Sequence, residues 1–257
     1  MTDELQVRLE DGVLTVVFDR PAARNAMTFA MYEGLYEACE RADAEDDVKV
    51  LVLTGAGKAF VAGTDITQFA SFTTGQDGID YELGISRIVD RLEDVTVPTV
   101  AVVRGACVGG GLALAAACDL RVASRSGRFG VPIARTLGNC LSMNSVSLLV
   151  SQLGPARSLD LLLRARLLTA EEAQAAGFVS ELAADDESLD EVAAAVVQPL
   201  LTHAPLTMWA AKQAVTRLRR ATLPDGDDVV ARAFGSDDFH RAVQSFSAKE
   251  RPVWQGR

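Results

Sequence analysis

The sequence predicts a layered α/β fold, because strand-like and helix-like patterns alternate along the chain before residue 154. Two apolar runs, residues 48–54 and 99–103, are each followed closely by glycine. A helical pattern at residues 81–93 lies between them. Strands with almost no polar side chains are typical of a sheet that is covered on both faces.

The chain begins with a predicted hairpin. Residues 5–10 and 13–19 alternate between apolar and polar side chains on either side of an Asp-Gly pair, which is a strong signal for a tight turn. Pro21 ends the second strand. Thr28 is then well placed to cap a helix that reaches about residue 44.

The middle of the chain continues the alternation. We expect a polar loop through residues 72–78, and a further strand at residues 119–123. Residues 129–140 are predicted to form an ordered loop ahead of a helix near residues 141–153.

From Gly154 onward the pattern is almost wholly helical. Gly154-Pro155 marks the end of one helix and the start of another, and two capping boxes follow, at Thr169–Glu172 and Ser188–Glu191. Further helices are predicted at residues 205–220, 228–234 and 237–248. A change of composition near residue 200 suggests a core domain at residues 1–200 and a helical subdomain at residues 201–257.

Composition excludes several classes of function. Of the 257 residues 49% are hydrophobic and 23% charged, which is ordinary for a globular protein. A net charge of −10 argues against a nucleic-acid partner. The acidic N-terminus and the lack of a long apolar run predict a cytoplasmic protein without a membrane partner. Four scattered cysteines and two histidines make a disulfide or a bound metal improbable.

The segment Gly105–Gly111 is the most informative stretch, because its glycines fall between a strand and an Ala-rich helix. Free N–H groups of a first helical turn can hold an anion or a developing oxyanion. The alternative is that these glycines only allow a helix to pack tightly on a strand. The spacings of a Walker A loop, a dinucleotide fold and a GxSxG nucleophile elbow are all absent.

Several segments in order resemble the crotonase superfamily, the enoyl-CoA hydratase/isomerase enzymes. The resemblance covers nearly the whole chain, and is carried by Arg20-Pro21 with Asn25, by Ala62-Gly63-Thr64-Asp65, by Gly109-Gly110-Gly111, by residues 168–179, by Ala204-Pro205-Leu206 and by residues 246–252. It implies a spiral of stacked ββα units with a helical C-terminal trimerisation region, assembled as a homotrimer or homohexamer. It also implies an acyl-CoA thioester as substrate, with coenzyme A as part of that substrate and no permanently bound cofactor.

The resemblance also implies roles for individual residues. The backbone N–H groups of Thr64 and Gly110 would bind the thioester oxygen, where negative charge develops as an enolate forms. The residues implied to contact coenzyme A are Arg24, Ala62, Asp65, Ile66, Phe246 and Lys249. For the charged members the alternative is structural: Arg24 and Lys249 as solvated surface charges, and Asp65, like Asp119, as the cap of a turn.

The sequence departs from the family at the two positions where its hydratases carry glutamates. These positions hold Ala113 and Ile133, neither of which can transfer a proton. Glu82 is our first candidate for a replacement base, and a solvated helix face is the alternative for it. The other polar candidates are Asp80, Tyr81, Arg87, Arg135, Thr136, Asn139, Cys140 and Asn144, with Cys140 more simply explained as a packed thiol.

We therefore expect an enzyme of enoyl-CoA hydratase/isomerase type that stabilises a thioester enolate. The ordinary hydration mechanism does not fit the residues present. A decarboxylase or thioesterase of the same fold is one alternative, and a non-catalytic acyl-CoA-binding relative is another.

Overall fold

The computed structural model describes residues 3–256, which form two β-sheets surrounded by helices. The strands are β1 (Leu5–Glu10), β2 (Val13–Phe18), β3 (Val50–Gly55), β4 (Thr99–Val103), β5 (Ala106–Val108), β6 (Leu120–Ser124), β7 (Arg128–Gly130), β8 (Leu168–Thr169) and β9 (Glu181–Ala183). The larger sheet has the order β1-β2-β3-β4-β6-β9, and the smaller one has the order β5-β7-β8.

Ten α-helices complete the described part of the chain, with two short 3₁₀ turns at Pro21–Ala23 and Ile66–Ser71. The helices are α1 (Phe29–Ala44), α2 (Gly75–Asp94), α3 (Gly110–Ala117), α4 (Ile133–Thr136), α5 (Met143–Arg164), α6 (Ala170–Ala175), α7 (Leu189–Leu200), α8 (Pro205–Arg220), α9 (Asp227–Phe234) and α10 (Asp237–Ala248).

The larger sheet is parallel from β2 onward, and only β1 and β2 pair as an antiparallel hairpin. Its central strand β3 is buried on both faces. Leu51 and Leu53 pack into the main core, whereas Val50 and Val52 pack into a second core beneath α7. The predicted α/β fold with covered strands is therefore confirmed, since a side chain on each face of β3 meets a different apolar layer.

Most of the predicted helix ends are confirmed. The Thr28 hydroxyl accepts the Met31 N–H at the start of α1, and Thr169 and Glu172 form a capping box at the start of α6. Gly154, with φ of 76° and ψ of 159°, interrupts α5 where a stop and a new start are predicted. Glycine adopts such a conformation more readily than other residues.

Three predictions about local structure are wrong. Residues 129–140 are not a loop throughout, because they include the end of β7 and the short helix α4. Residues 75–78 belong to α2 and not to a polar loop, because Thr74 and Asp77 form a capping box that starts the helix. The Ser188 capping box does not form, because the Ser188 hydroxyl bonds to Asp185 instead. Helix α7 begins at the predicted place without that cap.

Two of the C-terminal helices pack against earlier parts of the chain. Helix α9 lies along α2, and α10 lies against the turn Ile66–Ser71. A third apolar cluster joins them, formed by Phe69, Leu137, Val230, Phe234, Phe239 and Val243. Helix α8 exposes Leu206, Val215 and Leu218. The boundary at residue 200 and the homotrimer or homohexamer stay predictions.

The helices of residues 3–256 include none that combines the length and the apolar character needed to cross a bilayer.

Candidate active site

Asn25 fixes the loop that follows β3. Its buried Nδ2 donates to the carbonyl oxygens of Ala56, Ala59 and Phe60, at 3.0, 2.8 and 3.2 Å. Its Oδ1 accepts the N–H of Arg20 at 2.9 Å. One amide group therefore holds this loop against the chain that follows β2, which gives the Arg-Pro and Asn segment a structural role.

The same loop presents the Thr64 N–H. The Met27 N–H donates to the Gly63 carbonyl at 2.8 Å, and the Asp65 N–H donates to the Met27 carbonyl at 2.9 Å. Successive groups of an extended chain point to opposite sides, so the N–H of Thr64 points away from Met27. Within residues 3–256 it donates to no protein acceptor.

The segment Gly105–Gly111, which we call the glycine turn, lies directly beside this loop. Val61 donates its N–H to the Ala106 carbonyl at 3.0 Å and accepts the Val108 N–H at 2.9 Å. A Cβ atom on Gly111 would lie 2.3 Å from the Val61 carbonyl oxygen, so only glycine fits there. Gly110 begins α3, where N–H groups have no acceptor within the helix.

The two predicted oxyanion-hole residues are neighbours in space. A Cβ atom built on Gly110 would lie 3.4 Å from the Thr64 Oγ1, although the residues are far apart in the sequence. Both line one cavity of about 430 Å³. Two backbone donors at the wall of a cavity can bind an oxygen that gains negative charge.

Glu82 lies in the same cavity, on α2. It is 5% exposed, and its Oε2 accepts the Ser142 N–H at 2.8 Å. Burial raises its pKa to about 7, against a smaller opposing effect of the hydrogen bonds from Ser142. No other carboxylate contributes to the lining of this cavity within residues 3–256. The predicted base is therefore a buried group that can both accept and release a proton near neutral pH.

Comparison with known proteins identifies the family of the chain that carries this site. The sequence pattern of the enoyl-CoA hydratase/isomerase family matches residues 8–257. The chain belongs to this family. The relatives include 2,3-dehydroadipyl-CoA hydratase of Escherichia coli, which is 31% identical over 99% of each chain. They also include 1,2-epoxyphenylacetyl-CoA isomerase of the same organism, 30% identical over 100% of each chain.

The fold agrees with solved structures of the enoyl-CoA hydratase/isomerase family. The crystal structure of an enoyl-CoA hydratase/carnithine racemase from Magnetospirillum magneticum has a TM-score of 0.81 and 32% identity. The match covers 100% of this chain and 97% of that one. The predicted membership of the crotonase superfamily and its fold are confirmed.

The structure brings most of the predicted residues of this family member to the cavity. Ala113 and Ile133 line it together with Glu82. That they replace the family's glutamates stays a prediction. The other predicted residues in the lining are Arg24, Ala62, Ile66, Tyr81, Arg135, Thr136, Asn139 and Phe246. Their roles toward coenzyme A stay predictions.

Asp65 and Lys249 do not contribute to the lining. The Asp65 carboxylate accepts from the Arg20 guanidinium at 2.7 Å and from the Thr67 N–H and hydroxyl at 3.1 and 2.7 Å. Although burial opposes it, the bonds from Thr67 and Arg20 lower its pKa. These contacts fit the structural alternative, in which Asp65 caps a turn. Lys249 is an exposed residue at the end of α10.

Four other candidates point elsewhere. Asp80 accepts from Gln76, and Arg87 pairs with Glu33 at the surface. Asn144 bonds to Asp90 and Arg219. Cys140 is packed near α9, and burial raises the pKa of its thiol to about 12.

Asp119 is a structural residue as well. It accepts from the N–H and hydroxyl of Thr99 and from the Lys212 ammonium, at 2.7, 2.9 and 2.6 Å. These bonds join β4, the end of α3 and α8.

Tyr32 also lies at the site, although it was not predicted from the sequence. Its hydroxyl contacts Thr64 at 2.9 Å, and it is 3% exposed. A tyrosine on the inner face of a predicted helix is usually explained by packing alone, so the pattern holds no signal for this contact.

Proposed function

We propose that the protein binds an acyl-CoA thioester and catalyses a reaction through its enolate, with Glu82 as the single acid/base residue. The observation that carries this proposal is the position of Glu82, a buried carboxyl with a pKa of about 7 in the cavity of Thr64 and Gly110. The family membership supports the acyl-CoA substrate.

The backbone donors supply the stabilisation of charge. When a base removes a proton from the carbon beside the thioester, the electron pair moves onto the thioester oxygen. The N–H groups of Thr64 and Gly110 bind that oxygen more strongly as its charge grows. Loss of one such donor typically lowers kcat by about 10²–10³-fold.

A single carboxyl favours a double-bond shift over hydration. The Glu82 carboxylate removes a proton from C2 of a 3-enoyl thioester, and the resulting acid returns the proton to C4. The product is the conjugated 2-enoyl thioester, and the enzyme is restored without a further reactant. Hydration needs a second acid/base group to deprotonate the attacking water. The side chains of Ala113 and Ile133 cannot supply it.

The entrance of the cavity carries a positive charge, which suits the phosphates of coenzyme A. Arg24 is exposed and lines the cavity together with Ile66 and Phe246. A guanidinium binds phosphate oxygens in a bidentate manner, and apolar side chains pack against an adenine ring. These residues fit the phosphates and the base of coenzyme A.

Arg135 favours decarboxylation as a second candidate. It is exposed, lines the cavity and forms no ion pair with an acid of residues 3–256. A guanidinium there fits an acyl group that carries its own carboxylate. Loss of carbon dioxide from such a substrate produces the same enolate without a base.

Binding and turnover test the proposal separately. Calorimetry with acetoacetyl-CoA should show binding, and a lack of binding at millimolar ligand would contradict the acyl-CoA assignment. A 3-enoyl-CoA should gain the absorbance of the conjugated product. Loss of that absorbance from crotonyl-CoA would indicate hydration, and turnover of a malonyl-type thioester alone would indicate decarboxylation.

A glycine pair provides matched variants. Gly110→Ala places a Cβ atom 2.3 Å from the Tyr32 hydroxyl, which forces the donor out of place and should lower kcat by about 10²-fold. Gly84→Ala lies on α2 with no atom within 4 Å of the new Cβ, and should keep wild-type turnover. Equal activity of the two variants would contradict the need for a fixed position of the Gly110 N–H.

A further inference from the structure

Three hydroxyl groups form a chain beside the candidate oxyanion hole. The Tyr32 hydroxyl from α1 lies 2.9 Å from the Thr64 Oγ1. The Thr64 Oγ1 lies 2.7 Å from the Tyr81 hydroxyl of α2. We call Tyr32, Thr64 and Tyr81 the hydroxyl chain.

The hydroxyl chain reaches the residues whose N–H groups face the substrate. Thr64 belongs to both sets, and a Cβ atom on Gly110 would lie only 2.3 Å from the Tyr32 hydroxyl. Thr64 and Tyr81 line the site cavity, whereas Tyr32 lines a neighbouring cavity that it shares with Tyr81. A proton carried by either of the first two can therefore point into the cavity.

The hydroxyl chain has more donor protons than hydrogen bonds to the protein. Each hydroxyl carries one proton, and three protons serve only two hydrogen bonds within the chain. No other acceptor of residues 3–256 bonds to these oxygens. In every arrangement of donors, one O–H is therefore left without a protein partner.

The two tyrosines keep their protons at physiological pH. Burial raises the pKa of Tyr32 and of Tyr81 above the ordinary value for a phenol. The hydroxyl chain is thus a neutral donor system and not a base. A donor without a partner in a buried site is costly unless a ligand accepts its bond.

We infer that Tyr32 donates to Thr64, so that the remaining O–H is carried by Thr64 or Tyr81, and that this O–H is a third donor to the thioester oxygen. This inference rests on the proposed function, because it takes the acyl-CoA carbonyl as the acceptor. Tyr32 is a positioning residue that holds the Thr64 hydroxyl. The third donor would supply, from side chains, stabilisation that the N–H groups supply from the backbone.

The carbonyl stretch of a bound acyl-CoA tests this directly. Infrared difference spectra with isotope-labelled butyryl-CoA, which carries no double bond to shift, should show a lower carbonyl frequency when bound than when free. The double variant Thr64→Val/Tyr81→Phe removes both hydroxyls that reach the cavity and keeps the backbone N–H groups. It should lose part of the frequency shift, with kcat lowered by about 10–10²-fold and acyl-CoA affinity nearly unchanged.

Single variants assign the donor. Because two hydroxyls joined by one bond still leave one free O–H, Tyr32→Phe should keep most of the shift. Of Thr64→Val and Tyr81→Phe, the variant with the larger loss identifies the group that contacts the oxygen, and Thr64→Ser should restore a loss caused by Thr64→Val. Tyr36→Phe is the matched control, since Tyr36 packs under Arg87 outside the hydroxyl chain.

The outcomes separate the inference from the proposed function. If the double variant binds butyryl-CoA with the full wild-type shift, the third donor is wrong and the backbone donors stand. If the wild-type protein binds no acyl-CoA, the proposed function fails and the inference fails with it. Circular dichroism checks folding, and Thr64→Ala/Tyr81→Phe replaces the double variant if its shape is not tolerated.

Discussion

Glu82 and Glu93 are two buried carboxylates on one face of α2, about three turns apart, with very different surroundings. Glu93 contacts the guanidinium groups of Arg219 and Arg220, which reach it from α8. Within residues 3–256, Glu82 has no cationic partner and bonds only to Ser142. Glu93, paired with two cations, joins two helices. Glu82, which lacks such a pairing, can gain or lose a proton near neutral pH, as proton transfer requires.

Exchange of each carboxylate for its amide should separate activity from stability. Glu82→Gln should lower kcat for the double-bond shift by about 10³-fold, because the amide cannot carry the proton. Acyl-CoA affinity should change little, since the oxyanion hole and the cavity entrance are intact. Steady-state rates and calorimetry measure both. Wild-type turnover by Glu82→Gln would show that another group is the base.

Glu93→Gln is the matched variant on the same helix and should affect folding instead. It leaves two guanidinium groups beside a neutral amide, and removal of one partner from a buried ion pair destabilises a protein by about 3 kcal/mol or more. Urea denaturation measures the free energy of unfolding. An unchanged free energy of unfolding would show that the contacts of Glu93 to α8 do not stabilise the fold.

The burial of Glu82 should also make the stability of the folded protein depend on pH. Burial raises the pKa of Glu82 to about 7 from its ordinary 4.5, so the folded state holds the proton to a higher pH than the unfolded state. Stability from this group is present at low pH and is lost as pH rises through about 7. Relative to Glu82→Gln, the wild type should lose about 2 kcal/mol between about pH 5 and about pH 8.

Urea denaturation of both proteins at the two pH values measures this difference. Parallel pH dependences would mean that Glu82 titrates alike in the folded and the unfolded state, and would contradict its burial as the cause of a raised pKa.

The smallest expected effect concerns Ser142, the hydrogen-bond partner of Glu82 within residues 3–256. Ser142→Ala removes the cap of α5, a loss of about 1 kcal/mol, and also removes a side-chain hydrogen bond that lowers the pKa of Glu82. The midpoint of the pH–rate profile should therefore move upward, by less than about one unit. Ser236→Ala removes an equivalent cap from α10, and should lower stability without moving that midpoint.

The sequence predicted those parts of the fold that local chemistry determines. Thr28 and the Thr169–Glu172 box each bond within one turn, so their patterns are sufficient. The start of α2 was obscured because Gly75 and Gly78 resemble loop residues. Ser188 has the right spacing for a capping box, but a competing bond to Asp185 depends on how the chain folds back.

The sequence pointed most directly to the parts of the candidate site that are made of backbone. Thr64 and Gly110 follow glycine-containing motifs, and the structure does bring them together. The burial of Glu82 depends on Ser142, which lies far along the chain and is brought close by the packing of α2 against α5. Tyr32 likewise acquires its partner only because α1 packs beside the loop that carries Thr64.

The two halves of the site differ in how a change of the gene can alter them. The N–H at position 64 exists for every amino acid except proline, so most point mutations there leave the donor in place. Glu82 has no such protection, since one codon change removes its function. A descendant of this protein could therefore exchange the proposed acid/base group in a few steps and keep the backbone donors that we propose to polarise a carbonyl group.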